Sequence, residues 1–324
     1  MNNTTRERIE ACLRGVAIGD AIGKQTEMLP PPDVLTWYPD GVRGFEGAPG
    51  DVIPRYRGNR KREWRIGETT DDTERTIAVA RAIIAERDVT HVRIGREMLG
   101  CRKCVHPDVK SLWEFHHAGD PARVATEHDG CGAAIRVSPV GIFRSPGDLG
   151  ALVDSAHEAS ISTHGGSLAI AAAAATAAAV SAAIDGASSQ QVLSLAEWAA
   201  AVAESRWPRG SSHAFANAIH DAHEDLAALT VVRPADVAQR WFPDRPLTIV
   251  PLALALATVM TSATEAILVA ANIGGDSDSV ASIAGGILGA MYPHTINQQW
   301  YEIVERVNGH DLMSIAGELA ALRT

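Results

Sequence analysis

The chain has 324 residues, 46% of them hydrophobic and 21% charged, with a mean hydropathy close to zero, which describes a globular protein with ample apolar material. A net charge of −10 and a pI near 5.6 argue against a nucleic acid duplex or an anionic membrane as the main partner, because both call for a clustered cationic face. Aromatic residues make up only 5%, so the core must be built from small aliphatic side chains, which suits close-packed helices better than a β-sandwich.

The segment MNNTTRERIEACLRG is polar and amphipathic and lacks the apolar stretch of a signal peptide, so a cytoplasmic location is expected. Ile9, Cys12, Leu13 and Val16 form one stripe of a first helix. In GVAIGDAIGKQTE (15–27), Gly19 and Gly23 lie four apart and permit another backbone to come close, and Glu27 follows as the helix ends. The Gly- and Pro-rich piece from Leu29 to Gly67 reads as a long surface excursion. Its basic run, Arg55 to Arg65, is either a solvated loop or a device that steers an anionic substrate.

Thr70-Asp71-Asp72 then precedes a helix expected over 73–85, with Ile77, Ala80 and Ile84 on its apolar face. Cys101-Arg-Lys-Cys104 has the spacing of half a zinc site or a redox pair. With no second pair and only His106 nearby, two reduced cysteines are the expectation. Ser167 to Ile184 is an Ala-rich helix closed by Asp185-Gly186. Further helices are expected at about 189–205, 211–228, 234–241, 247–261, 263–272, 278–291 and 296–307. A last one starts at Asp311, a residue type favoured at N-caps. The most hydrophobic stretch, Leu247 to Ala263, is interrupted by Pro251, Thr258, Thr261 and Ser262, and reads as a buried core helix rather than a membrane span. No series of alternating strands and no linker divides the chain, which predicts one all-α domain.

Two clusters carry the chemistry. Gly67-Glu68-Thr69-Thr70-Asp71-Asp72-Thr73 and Gly274-Gly275-Asp276-Ser277-Asp278-Ser279 each put two carboxylates and flanking hydroxyls directly before a helix. Capping would explain one such residue per helix. Crowding two carboxylates costs energy unless a cation neutralises them. Inside a regular helix Asp276 and Asp278 would lie about 200° apart, whereas at a loop-to-helix junction both can turn inward. Hard oxygen donors of this kind suit Mg²⁺ or Mn²⁺ better than Zn²⁺.

GDAIGKQTE, TTDDT, GCGAAIRVSPVG (130–141), STHGG (162–166) and NIGGDSDSVASIAGGILGAMY (272–292) occur in the order found in the ADP-ribosylglycohydrolase family, which the chain resembles from about residue 8 to about residue 306. The resemblance implies a multi-helical orthogonal bundle with a binuclear metal cleft. It implies two divalent ions, Mg²⁺ or Mn²⁺, with Thr70, Asp71 and Asp72 as one ligand set and Asp276, Asp278 and Ser279 as the other. Glu27 matches an acidic residue that contacts and gates the metal site, and it shares with Asp72 the expected catalytic role. Gly130, Cys131 and Gly132 match a loop whose amides hold diphosphate and ribose, and His164 and Gly275 match positions that line the same pocket. Read alone, His164 would be an ordinary core histidine. The implied chemistry is hydrolysis of a ribosyl bond through an oxocarbenium-like state, with water held between ions about 3.5–4 Å apart. The implied partner is an ADP-ribosylated protein or a small ADP-ribosyl or ribosyl metabolite.

Two departures bear on the substrate. Cys131 stands where many members have Asn, and Ser277 and Ser279 replace the usual threonines of GDTDT. These departures bear on recognition of full ADP-ribose rather than on hydrolysis of a ribosyl linkage, and a nucleoside or nucleotide N-ribosyl hydrolase is the alternative enzyme. A non-catalytic, crystallin-like protein is the alternative outside enzymes. The resemblance gives Cys131 no role as a nucleophile.

Overall fold

The structure, a computed structural model, describes residues 3–103, 112, 117, 119–120, 123–208 and 214–323. Cys104, His106 and the start of the helix expected over 211–228 lie outside the described residues. Among the described residues the regular elements are helices, and the one β-bridge joins Val52 to Arg65. The α-helices are α1 (Asn3–Gly23), α2 (Pro31–Trp37), α3 (Asp71–Glu86), α4 (His91–Met98), α5 (Ser138–Phe143), α6 (Leu149–Ile161), α7 (Ser167–Ile184) and α8 (Ser189–Arg206). They continue with α9 (Ala214–Ala227), α10 (Pro234–Trp241), α11 (Pro246–Val259), α12 (Ala263–Ile273), α13 (Ser277–Met291), α14 (Gln298–Asn308) and α15 (Leu312–Leu322). An all-α architecture is thus established.

One apolar cluster runs through these helices, with the alanines of α7 at its centre. Helix α7 is long and apolar enough to cross a membrane, yet 94% of it is buried inside the protein, as befits a core helix. Ala side chains carry little rotamer entropy and let α5, α6 and α8 pack close against it.

The contact that positions the site is between α1 and α13. The two run antiparallel, with Gly15, Gly19 and Gly23 set against the backbones of Gly285, Ala281 and Asp278. A Cβ at Gly15 or Gly19 would stand 2.0 or 2.1 Å from a carbonyl oxygen of α13. The absence of side chains therefore sets the interhelical distance, as the spacing of Gly19 and Gly23 predicted. The end of α1 lies on the start of α13, so residues 24–28 emerge directly beside Asp278.

Several expectations are corrected. Leu29 to Gly67 is more than a surface excursion: it contains α2 and a 3₁₀ turn (Pro54–Tyr56), and it buries its own small cluster of Ile53, Tyr56, Trp64 and Ile66. Helices α4, α5 and α6 were not foreseen. Thr90 and Asp148 cap α4 and α6 by accepting from Arg93 N and Ala151 N. Asp311 precedes α15 but makes no side-chain cap, because its backbone is left-handed (φ 54°) and the carboxylate is carried away from the helix amides.

Candidate active site

The first acidic cluster is anchored from α1. Asp20, fully buried, accepts from Thr70 N at 2.9 Å, from Thr73 N at 3.1 Å and from the Thr73 hydroxyl at 2.5 Å. Thr70 caps α3 through its hydroxyl, which accepts from Asp72 N at 3.2 Å. With the orphan amides of the first turn satisfied in this way, Asp71 and Asp72 are spared capping duty and face the cleft. Asp71 pairs with Arg75 one turn further on, at 3.0 Å. Asp72 is 4% exposed, and its Oδ2 has no hydrogen-bond partner.

The second cluster is held by its backbone. Gly274 and Gly275 adopt φ 81° and 63°, a region that disfavours other residues. Gly275 N donates to Leu29 O (2.9 Å), Met28 N donates to Gly275 O (2.6 Å), and Asp276 N donates to Pro243 O (2.7 Å). Ser277 turns inward, its hydroxyl donating to Gly23 O at 2.9 Å. Asp276, Asp278 and Ser279 line the cleft.

Glu27 completes this side. Its carboxylate accepts from the buried ammonium of Lys24 and from the Tyr56 hydroxyl at 3.3 Å. Lys24 Nζ also stands 4.0 Å from Asp278 Oδ2 and 4.3 Å from the centre of the Trp64 ring. Burial alone would lower the lysine pKa, but Asp278 and Glu27 outweigh it and raise it, so the cation is kept. Arg55, from the basic run, donates to the carbonyls of Gln25 (2.8 Å) and Glu27 (2.6 Å). Arg57, Arg60, Lys61 and Arg65 of that run are exposed.

The facing wall is the turn Gly130–Gly132 with His164. A Cβ on Gly132 would come within 2.6 Å of the imidazole. Arg136, fully buried, fixes this turn by donating to Gly132 O (2.7 Å) while tying it to Ala159 O (2.9 Å) and Ser160 O (3.1 Å). In STHGG, Gly165 N and Gly166 N donate to the carbonyls of Glu127 and His128, and Thr163 shares a 2.7 Å hydrogen bond with His164 Nδ1. Burial, with Arg136 and Arg75 nearby, holds His164 well below the usual histidine range, so it is neutral at pH 7. The Cys131 thiol reaches Asp276 Oδ2 at 3.3 Å, and burial together with Asp276 and Asp72 pushes its pKa well up. It is a thiol rather than a thiolate, which suits a donor and not a nucleophile.

Glu27, Asp71, Asp72, Gly130, Cys131, Gly132, His164, Asp276, Asp278 and Ser279 thus share one cleft of about 480 Å³, within the usual range of small-molecule sites. Thr70 and Gly275 do not line it: one lies beneath as a cap, the other in the supporting turn. Sequence reasoning missed Asp20, Lys24, Arg75 and Arg136. A carboxylate in the buried stripe of a glycine-spaced helix was the available signal for Asp20.

Crowding has an electrostatic consequence. Burial, then Asp20, Asp71 and Asp276, push Asp72 well above the usual carboxylate range. Burial and then Glu27 do the same for Asp278, against the pull of Lys24. Burial also raises Asp276, opposed by hydrogen bonds from its neighbours. Positive charge placed among these carboxylates would favour their ionised forms. Among the described residues no three His, Cys, Asp or Glu side chains are gathered tightly enough to ligate an ion as they stand. Glu27 and Asp278 lie against Lys24, Asp71 against Arg75, and Asp276 against Cys131.

The ADP-ribosylglycohydrolase family profile matches residues 1–324. The "Uncharacterized protein YegU" of Escherichia coli (strain K12) is 29% identical over 345 residues, covering 98% of this chain and 97% of the relative. An "Uncharacterized protein" of Archaeoglobus fulgidus is 27% identical over 303 residues, covering 91% of each. A solved structure titled "ADP-ribosylglycohydrolase-related protein complex" superposes with a TM-score of 0.70 over the whole of both chains at 21% identity, a likeness of fold.

Proposed function

Since the chain belongs to the ADP-ribosylglycohydrolase family, we propose that it hydrolyses the glycosidic bond between an ADP-ribosyl, or related ribosyl, group and its acceptor with the help of two divalent ions. The observation that supports this reading most is the meeting of two acidic helix starts, 204 residues apart at Asp72 and Asp276, in one cleft with Glu27. The buried, unpartnered Oδ2 of Asp72 and the all-oxygen donor set fit Mg²⁺ or Mn²⁺. Asp71, Asp72, Asp276, Asp278 and the Ser279 hydroxyl would hold them, with Thr70 behind. Bound there, the ions would neutralise the cluster and act as Lewis acids toward the ribose hydroxyls and the attacking water.

The rest falls to the protein. Amides of the Gly130–Gly132 turn, held by Arg136, would bind the anionic part of the substrate. Neutral His164 would flank the ribose. Water attacks the anomeric carbon on one side as the bond to the acceptor breaks on the other, through an oxocarbenium-like state. Glu27 takes the proton from the water, being the better placed of the two candidate carboxylates. Its side chain is 25% exposed to the cleft, whereas Asp72 is sunk among carboxylates. The proton then passes to the leaving acceptor.

A hydrolysis screen over ADP-ribosyl-arginine, ADP-ribosyl-serine, O-acetyl-ADP-ribose and nucleosides tests this, run with Mg²⁺, with Mn²⁺ and with EDTA. Turnover of an ADP-ribosyl substrate that EDTA abolishes is expected. Undiminished turnover in EDTA contradicts the ion-dependent route, and turnover of nucleosides alone selects the N-ribosyl hydrolase. The Cys131 side chain, bonded to Asp276 inside the anion-binding turn, is the observation that keeps that second reading in view.

A further inference from the structure

Each acidic helix start already carries an internal cation, and the two are not equivalent. On α3, Arg75 reaches Asp71 from its own helix and leaves Asp72 Oδ2 without a partner. On the α13 side, one ammonium serves two carboxylates: Lys24 Nζ contacts Glu27 Oε2 and lies 4.0 Å from Asp278 Oδ2. The site for this ammonium is built. Lys24 is 5% exposed, and its Nζ sits over Trp64 at 4.3 Å and near Tyr56 at 5.9 Å, rings that stabilise a cation through their faces. Its backbone is fixed as well, its amide donating to Asp20 O at 2.9 Å and its carbonyl accepting from Arg55 Nη2 at 3.4 Å. Trp64 and Tyr56 belong to the small cluster of the 29–67 segment, so that segment is what brings an aromatic cradle to the end of α1.

We propose that Lys24 competes with a divalent ion for Glu27 and Asp278, so that the two ions of this cleft bind with unequal affinity. The tight ion enters beside Asp72, where an oxygen is unpartnered. The second can use Glu27 and Asp278 only by displacing the ammonium from between them. A like charge at about 4 Å in a partly buried site is repelled strongly enough to weaken the second ion by roughly tenfold or more. Lys24 is therefore a positioning residue whose ammonium sets the affinity of the second ion.

This inference rests on the proposal that divalent ions bind the cleft, and Mn²⁺ titration separates the two. Calorimetry and electron paramagnetic resonance on the full chain are expected to give one tight Mn²⁺ and a second at least roughly tenfold weaker, with the spin-coupled pair forming only at high Mn²⁺. In Lys24→Met, which keeps most of the apolar stem, the second ion should tighten roughly tenfold. In Lys24→Arg, which keeps the charge, it should stay weak. Wild-type protein that takes up two Mn²⁺ with equal affinity, or Lys24→Met with an unchanged or weaker second ion, overturns the inference while leaving the metal reading intact. Failure of the wild type to bind Mn²⁺ overturns both. Amine labelling of the wild type, read by mass spectrometry, needs no variant to fold: saturating Mn²⁺ should increase acylation of Lys24, and unchanged labelling overturns the displacement.

Discussion

The two acidic helix starts reach the same cleft by opposite means. The start of α3 is held by side chains: Asp20 gathers the amides of Thr70 and Thr73, and the Thr70 hydroxyl caps the turn. The start of α13 is held by the lack of them: Gly19 and Gly23 of α1 lie on its backbone, and Gly274 and Gly275 take left-handed turns that Leu29 and Pro243 then bond. Helix α1 supports both, through a carboxylate on one face and glycines on another. The lesson is that a polar network and a close backbone approach can do the same positional job but should fail differently. A network loses one hydrogen bond at a time, whereas a backbone contact admits no partial loss.

Substitutions can break that contrast. Gly19→Ala puts a methyl 2.1 Å from the carbonyl oxygen of Ala281, so α1 and α13 must separate, at a cost of about 3 kcal/mol or more. Turnover and thermal stability should fall together, and a melting curve like that of the wild type would show that the interface can give. Asp72→Ala or Asp278→Ala should abolish turnover with helix content nearly intact by circular dichroism, because neither side chain holds its helix in place. Asp20→Ala should cost about 2–3 kcal/mol in urea unfolding, since three donors at the start of α3 lose a charged acceptor. Thr70→Ala removes a single cap and should cost about 1 kcal/mol by the same measurement.

A smaller effect sharpens the comparison on the α3 side alone. His310 shares a 2.8 Å hydrogen bond with the Thr69 hydroxyl, and burial, with Lys103 and Arg81 nearby, lowers its pKa to about 4. The unfolded chain, with a histidine pKa near 6.5, binds the proton first, so this contribution is complete above about pH 6.5 and is lost as pH falls toward 4. After discounting for partial solvent screening it amounts to about 1 kcal/mol. His310→Gln should flatten the pH dependence of the melting temperature in that window relative to the wild type. Parallel curves for the two proteins would remove His310 from the account.

Much of this could be read from residue order. The long helices repeat their apolar residues with helical period, the glycines at 19 and 23 announced a close backbone approach, and the acidic runs at 70–72 and 276–278 form the N-caps and first turns of α3 and α13. What escaped depends on partners distant in sequence. Asp20, Lys24, Arg75 and Arg136 look like ordinary polar residues until the fold brings Thr70, Asp278, Asp71 and Gly132 to them. The short helices α4 and α5 carry too few turns for a period to emerge. Helix α2 opens with two prolines inside a stretch otherwise rich in breakers. Asp311 shows the limit of residue type alone: a favoured capping side chain is of no use when its own backbone turns left-handed.

Anomalous diffraction from Mn²⁺-soaked crystals tests most directly whether the two helix starts form one divalent-ion site. Anomalous density is expected in the cleft in contact with carboxylate oxygens from both starts, Asp72 on one side and Asp276 or Asp278 on the other. Density confined to one start, or absent from the cleft at saturating Mn²⁺, would contradict it.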